Sequence, residues 1–215
     1  EEKHRIFLVG APQLDDINYK KIKIKTSLKI ENKLINLKEK YLVVLQHPVF
    51  KDKNDYKDIF EKTLLACEKF SYKKYIIYPN YDPGYKSIIK TINKFKKKNF
   101  FVFKSIERQD FLTLMGHTQA LVGNSSAGLL ESSSLKIGVV NIGDRQNLRE
   151  GNKNIFNAKY EEKDIYQKIK KAINIKEKLN NIKNIHGDGR SAVRIYKILK
   201  KIKKSQTLLT KNTTY

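Results

Sequence analysis

A chain of 215 residues with 40% hydrophobic content fits one large domain or two small ones and can bury a sizeable core. No apolar run approaches the roughly 20 residues that a membrane span needs, the opening EEKHRIFLVG has no signal-peptide pattern, and a single cysteine excludes an internal disulfide. The charge is lopsided, with 45 Lys+Arg against 22 Asp+Glu for a net +23, so the surface attracts anions.

These features point to a reducing, cytoplasmic setting, with Cys67 as a small core residue. The absence of an initiating Met suggests a piece of a longer chain. A nucleic-acid partner is not expected despite the charge. The lysines are spread along the whole chain among many Ile and Asn, as an AT-rich genome would produce, and there is no RNA-binding signature or zinc-ligand spacing. Nothing in the sequence calls for a cofactor, a metal or a membrane.

In chain order, Arg5–Val9 is apolar and short and is expected as a first strand, followed by a turn, APQLDDI, with one Pro and two acids. Asn18–Leu37 is polar and Lys-rich and is expected to hold one helix and a connection. Lys40–Leu45 is a strand ending at Gln46-His47-Pro48. Asp55–Phe70 has helical spacing, Lys74–Tyr78 is a strand, Tyr85–Lys97 a basic helix, Phe100–Phe103 a strand and Arg108–His117 a helix. Ala120–Glu150 then reads as a βαβ unit: an apolar run to Gly123, the cluster Asn124-Ser125-Ser126, a helix toward Glu131, and a second run, Ile137–Ile142, to Gly143-Asp144-Arg145. Beyond Glu150 come a turn with a short edge strand, helices over Asp164–Ile173 and Gly189–Ile202, and a polar tail, with residues 204–215 expected to fray.

Strands that are continuously apolar and alternate with helices form a parallel sheet covered on both faces. The expected fold is one doubly wound, Rossmann-like α/β domain of about six strands over residues 1–215. In such a sheet ligands bind at the carboxyl ends of the strands. That edge collects His47, Asn80, Asp82, the segment Ser105 to Glu107, Asn124, Ser125, Ser126, Asp144 and Arg145. The two serines sit where a helix begins and offer N–H groups and hydroxyls to a phosphate, or simply cap the helix. His47 can serve as a phosphate donor or as a general acid/base. Glu131 can accept from neighbouring hydroxyls such as a ribose diol, and Arg145 can pair with a phosphate or hold Glu131 or Asp144. No triad, acid/base couple of carboxylates, Walker loop or GxGxxG is present, so the chain reads as a binding half without a reaction centre.

GNSSAGLLE (123–131) and NIGDRQNLRE (141–150), with RIFLVGAPQLDDI, LVVLQHPV, YPNYDPG and NIHGDGRSAVRI in the same order, resemble the hydrolysing UDP-N-acetylglucosamine 2-epimerases. The resemblance covers roughly Arg5 to Leu199. It implies an enzyme of two Rossmann-like domains in the glycosyltransferase-B arrangement, of which this chain matches the second. It also implies no cofactor, a UDP-sugar substrate in the cleft with the first domain, and a homo-oligomer at full length. His47, the one catalytic candidate, would reach the sugar-phosphate region, Ser125 and Ser126 would hold the diphosphate, and Asn124 would bind the UDP as well. Glu131 would hold the ribose, Ile106 would lie against the uracil, and Asn80 and Arg145 would line the same site. The family reaction eliminates UDP to give a 2-acetamidoglucal, then adds water to yield N-acetylmannosamine, a step toward sialic acids; its acidic proton carriers belong to the first domain. Leu148 stands where the family usually has Gly. The alternatives are a nucleotide-sugar-binding domain of a glycosyltransferase-B enzyme and, from charge alone, a nucleic-acid module.

Overall fold

The computed structural model describes residues 2–49, 56–95, 99–203 and 210. Two 3-10 turns, Lys3–Arg5 and Pro12–Leu14, lead into a short helix α1 (Tyr19–Lys23) and a hairpin of β1 (Ser27–Ile30) and β2 (Lys33–Asn36). The apolar runs then form β3 (Tyr41–Leu45), β4 (Lys73–Ile77), β5 (Phe100–Phe103), β6 (Ala120–Gly123), β7 (Gly138–Ile142) and β8 (Ile155–Ala158). Between them lie α2 (Tyr56–Glu68), α3 (Tyr85–Lys94), α4 (Arg108–His117) and the single-turn α5 (Ser126–Leu130); α6 (Glu162–Asn174) and α7 (Ser191–Lys201) close the chain.

The six strands are all parallel, in the order β5-β4-β3-β6-β7-β8. This is the doubly wound Rossmann order, in which the direction of winding reverses between the first and fourth strands. Here that switch point lies between β3 and β6, with Leu45 paired to Gly123 at its carboxyl end.

Alternation along each strand builds two cores. Tyr41, Val43, Leu45, Tyr75, Phe103, Leu121 and Val139 face α4 and the hairpin, whose Leu28, Ile30, Ile35 and Leu37 join the same cluster. Leu42, Val44, Ile76, Val122, Val140 and Ile142 face α2, α3 and α6. Both faces are buried, which is why the strands read as unbroken apolar runs rather than as alternating ones. Cys67 is fully buried on α2, and burial pushes its thiol up to about 12.

Two expectations are corrected. Arg5–Val9 is not a strand: after the 3-10 turn at Lys3–Arg5 the segment runs without regular structure, and Leu8 is 98% exposed. A short apolar run has the composition of a buried strand whether it packs inside this sheet or against something else. The connection expected within Asn18–Leu37 is instead the β1–β2 hairpin, turned by Glu31 and Asn32 in left-handed conformation. The edge strand after Glu150 is β8. Asp55, Lys96, Lys97 and most of the tail expected to fray (204–209 and 211–215) lie outside the described residues. No helix among the described residues is long and apolar enough to cross a membrane.

Candidate functional site

The switch point is drawn together by Gly123. Its φ is +142°, and a Cβ there would stand 2.0 Å from the carbonyl oxygen of Leu45, so only glycine lets the ends of β3 and β6 approach. The next residue ties the two ends: Asn124 Oδ1 accepts from His47 N–H at 2.7 Å and Asn124 Nδ2 donates to His47 C=O at 2.8 Å. Asn124 is buried and its amide is spent on this clamp. Its side chain thus orders the strand ends behind the cleft, and Asn124 is not among the residues that line it.

His47 is buried and lines the cleft between the strand ends. Nδ1 accepts the backbone N–H of Asn80 at 3.0 Å. In the neutral ring that bond puts the proton on Nε2. Burial, with Arg145 nearby, depresses the imidazole to about 4. His47 is thus a neutral Nε2–H donor at pH 7, and it takes up a proton only against burial and a neighbouring guanidinium.

Ser125 caps α5, its Oγ 3.4 Å from the N–H of Ala127. Five residues carry little macrodipole, so what this corner offers an anion is local N–H groups and the two hydroxyls.

At the end of α5, Glu131 is 6% exposed. Its Oε1 accepts from Arg108 Nη1 at 2.7 Å, whereas Oε2 is buried with no partner among the described residues. Burial raises its carboxyl and Arg108 opposes that rise. Arg108 is itself fixed from the other side: Nε and Nη2 grip Asp16 at 3.0 Å each, and Nη2 donates to Gln13 C=O at 2.8 Å. The neighbouring acid diverges, with Asp15 accepting from Ser191 and Ala192 N–H to cap α7. The two acids of APQLDDI are one site anchor and one helix cap. Arg108 and Asp16 were not singled out from the sequence. The available signal was a basic residue opening α4 and two adjacent acids in a turn, which spacing alone cannot pair.

His47, Asn80, Ile106, Ser125, Ser126, Glu131 and Arg145 line one cleft of about 790 Å³, together with Lys104, Arg108 and Phe111. Arg145 donates to Asn124 C=O at 3.2 Å and stands 3.9 Å from Asp82; it does not reach Glu131, whose partner is Arg108. The cleft has a cationic wall, hydroxyl and N–H donors, one unpaired carboxylate oxygen and an apolar flank. Among the described residues no cluster of His, Cys, Asp or Glu could hold a metal ion.

Residues 1–200 match the family model described as UDP-N-acetylglucosamine 2-epimerase. The chain belongs to that family. It is 30% identical over 219 residues to a UDP-N,N'-diacetylbacillosamine 2-epimerase (hydrolyzing) of Legionella pneumophila, covering all of this chain and 56% of the relative. It is also 30% identical to a UDP-N-acetylglucosamine 2-epimerase of Neisseria meningitidis, over 81% of this chain and 46% of that one. The UDP-GlcNAc 2-epimerase of Methanocaldococcus jannaschii, solved in complex with UDP-GlcNAc and UDP, superposes with a TM-score of 0.71 at 20% identity, over 93% of this chain and 56% of that chain. The chain thus spans about half the length of the epimerase-family relatives it matches.

Proposed function

We propose that the cleft binds the UDP part of a UDP-N-acetylhexosamine, and that this chain is the nucleotide-binding half of a hydrolysing UDP-N-acetylglucosamine 2-epimerase. The observation that carries the reading is the convergence of Arg145, the Ser125 and Ser126 hydroxyls, His47 and Glu131 on one cleft. A ribose diol would donate to the Glu131 carboxylate. Ser125, Ser126 and Arg145 would receive the diphosphate, His47 Nε2–H would donate to the oxygen between phosphate and sugar, and the base would lie along Ile106 and Phe111.

The reaction would be loss of UDP to a 2-acetamidoglucal, followed by addition of water. A neutral His47 and a cationic wall suit stabilisation of the departing diphosphate. The cleft's carboxylate, Glu131, is paired with Arg108, so the groups that carry the C2 proton are assigned to the other half of the enzyme. An exposed apolar surface among the described residues supports such a half. On α7, Val193, Tyr196 and Leu199 are 53–64% exposed, and Ile6, Phe7 and Leu8 are exposed as well. An apolar helix face of this kind fits a docked Rossmann-like domain.

Calorimetric titration with UDP and UDP-GlcNAc tests the binding, with a full-length enzyme assayed for release of UDP and N-acetylmannosamine. UDP binding that is weakened roughly 30-fold in Glu131→Ala is expected. A folded chain that ignores UDP, or binds it equally well without Glu131, would overturn the reading.

A further inference from the structure

We propose that Arg108 is a positioning residue of the cleft: anchored by Asp16, it holds the Glu131 carboxylate in place and matches its charge, so that a ribose diol meets a fixed anion. It rests on the UDP reading of the cleft and names the residue through which Glu131 is held.

Arg108 is the first residue of α4. A cation there opposes the helix macrodipole, which favours acids in the first turn and bases in the last. Helix stability therefore does not explain the residue, and a side chain that breaks a local rule is expected where a site needs it. The guanidinium fork does explain it. Nε and Nη2 each donate to Asp16 at 3.0 Å, Nη2 donates also to Gln13 C=O at 2.8 Å, and Nη1 donates to Glu131 Oε1 at 2.7 Å. These four bonds use four of the five N–H groups of the side chain. The point charge of a lysine could not join both acids at a fixed angle.

The ion pairs run from solvent into the wall of the cleft. The side chains of Asp16 and Arg108 are 40% and 36% exposed, and that of Glu131 is 7% exposed. A carboxylate this far from water is unfavourable without a cation beside it. Burial pushes the Glu131 carboxyl up, Arg108 draws it back down, and Asp16 adds a smaller upward push. His47, Lys104 and Arg145 line the same cleft, but none of them bonds to Glu131 among the described residues. Hydrogen bonds to an ionised carboxylate are about twice as strong as those to a neutral group. Without Arg108, Glu131 takes up its proton at higher pH, and a diol then meets a neutral acid. The loss of affinity is therefore greatest at low pH and is regained as the pH rises.

The test is calorimetric titration of the 215-residue chain with UDP-GlcNAc, whose diphosphate does not titrate in the range, from about pH 6 to about pH 8.5. Arg108→Gln is expected to bind about tenfold more weakly than wild type at the acid end and to regain most of that loss at the alkaline end. Arg108→Lys, which keeps the charge, is expected to retain the wild-type pH profile. In a Glu131→Gln background, where no buried charge is left uncompensated, Arg108→Gln is expected to change affinity by less than about twofold; this pair serves if Arg108→Gln alone does not fold, and melting curves show which variants fold. An equal loss at every pH, no loss, or a further loss of about tenfold in the Glu131→Gln background would overturn the proposal and leave the UDP reading standing. A wild-type chain that ignores UDP-GlcNAc removes both.

Discussion

The two edges of the sheet are built from the same strands and treat polar groups in opposite ways. At the edge where the strands begin, polar side chains are closed off by protein. Tyr41 OH donates to Leu114 C=O, the buried Lys74 donates to Phe70 C=O, and Thr118 Oγ donates to Tyr41 C=O. Lys176 donates to Thr118 C=O, and Asn154 bridges Ser132, Ser133 and Ile137. At the edge where the strands end, Glu131 Oε2, Asn141 Oδ1 and Gln146 Oε1 are buried with no partner among the described residues. An unpaired buried acceptor costs about 1–3 kcal/mol. The first edge is closed by hydrogen bonds within the protein, and the second keeps unpaired acceptors beside the cleft at a cost in stability.

Substitutions can break this contrast from either side. The largest effect is expected at the closed edge. Asn154→Ala removes partners from Ser133 Oγ, Ser132 Oγ and Ile137 C=O and is expected to cost about 3 kcal/mol in urea unfolding, with UDP affinity unchanged in the folded chain. Comparable loss of UDP affinity in that variant would erase the distinction between the edges.

The pH dependence of the open edge comes next. The folded chain holds His47 at about 4 against an ordinary 6.5, so between those values the unfolded chain binds the extra proton. Stability is full above pH 6.5 and falls as the pH drops toward 4, by about 3 kcal/mol from this group. Chemical denaturation across that window reads the slope, and His47→Gln is expected to flatten it.

Glu131→Ala comes third. UDP affinity is expected to fall by about 2 kcal/mol, roughly 30-fold. Stability should move by less than about 1 kcal/mol, because Arg108 keeps its two bonds to Asp16 and the desolvated carboxylate is gone. Calorimetry and thermal melting of the same sample separate the two. The smallest effect is at Leu148, which has φ +68° and is fully exposed where the family usually has Gly. Leu148→Gly is expected to stabilise by about 1 kcal/mol in urea unfolding, since a left-handed L-residue is strained and no apolar burial is lost.

Much of this was legible in order along the chain. Continuous apolar runs from Tyr41 to Ile142 announced strands buried on both faces, and the glycines and small polar residues after them marked the ligand edge. What failed did so for identifiable reasons. Arg5–Val9 has the composition of a strand but lies on an exposed surface, and periodicity does not say which partner buries a segment. Asn124 was read as a ligand residue from its place beside Ser125, while its direction, into the His47 backbone, depends on a strand end 77 residues away. The positive φ of Leu148 was foreshadowed by its departure from the family's Gly.

The sequence by itself determined the alternation of strands and helices from Tyr41 onward, the parallel sheet and most of the residues at its carboxyl edge, because hydrophobic periodicity and turn chemistry are local. Only the tertiary structure decided which of those residues hold one another and which stay open. Arg108 meets both Glu131 and Asp16, Asp15 caps a helix 176 residues further on, and Gln146 holds the carbonyl of Asn124. Those pairings depend on distances set by how the layers stack, and no local pattern along the chain carries that information.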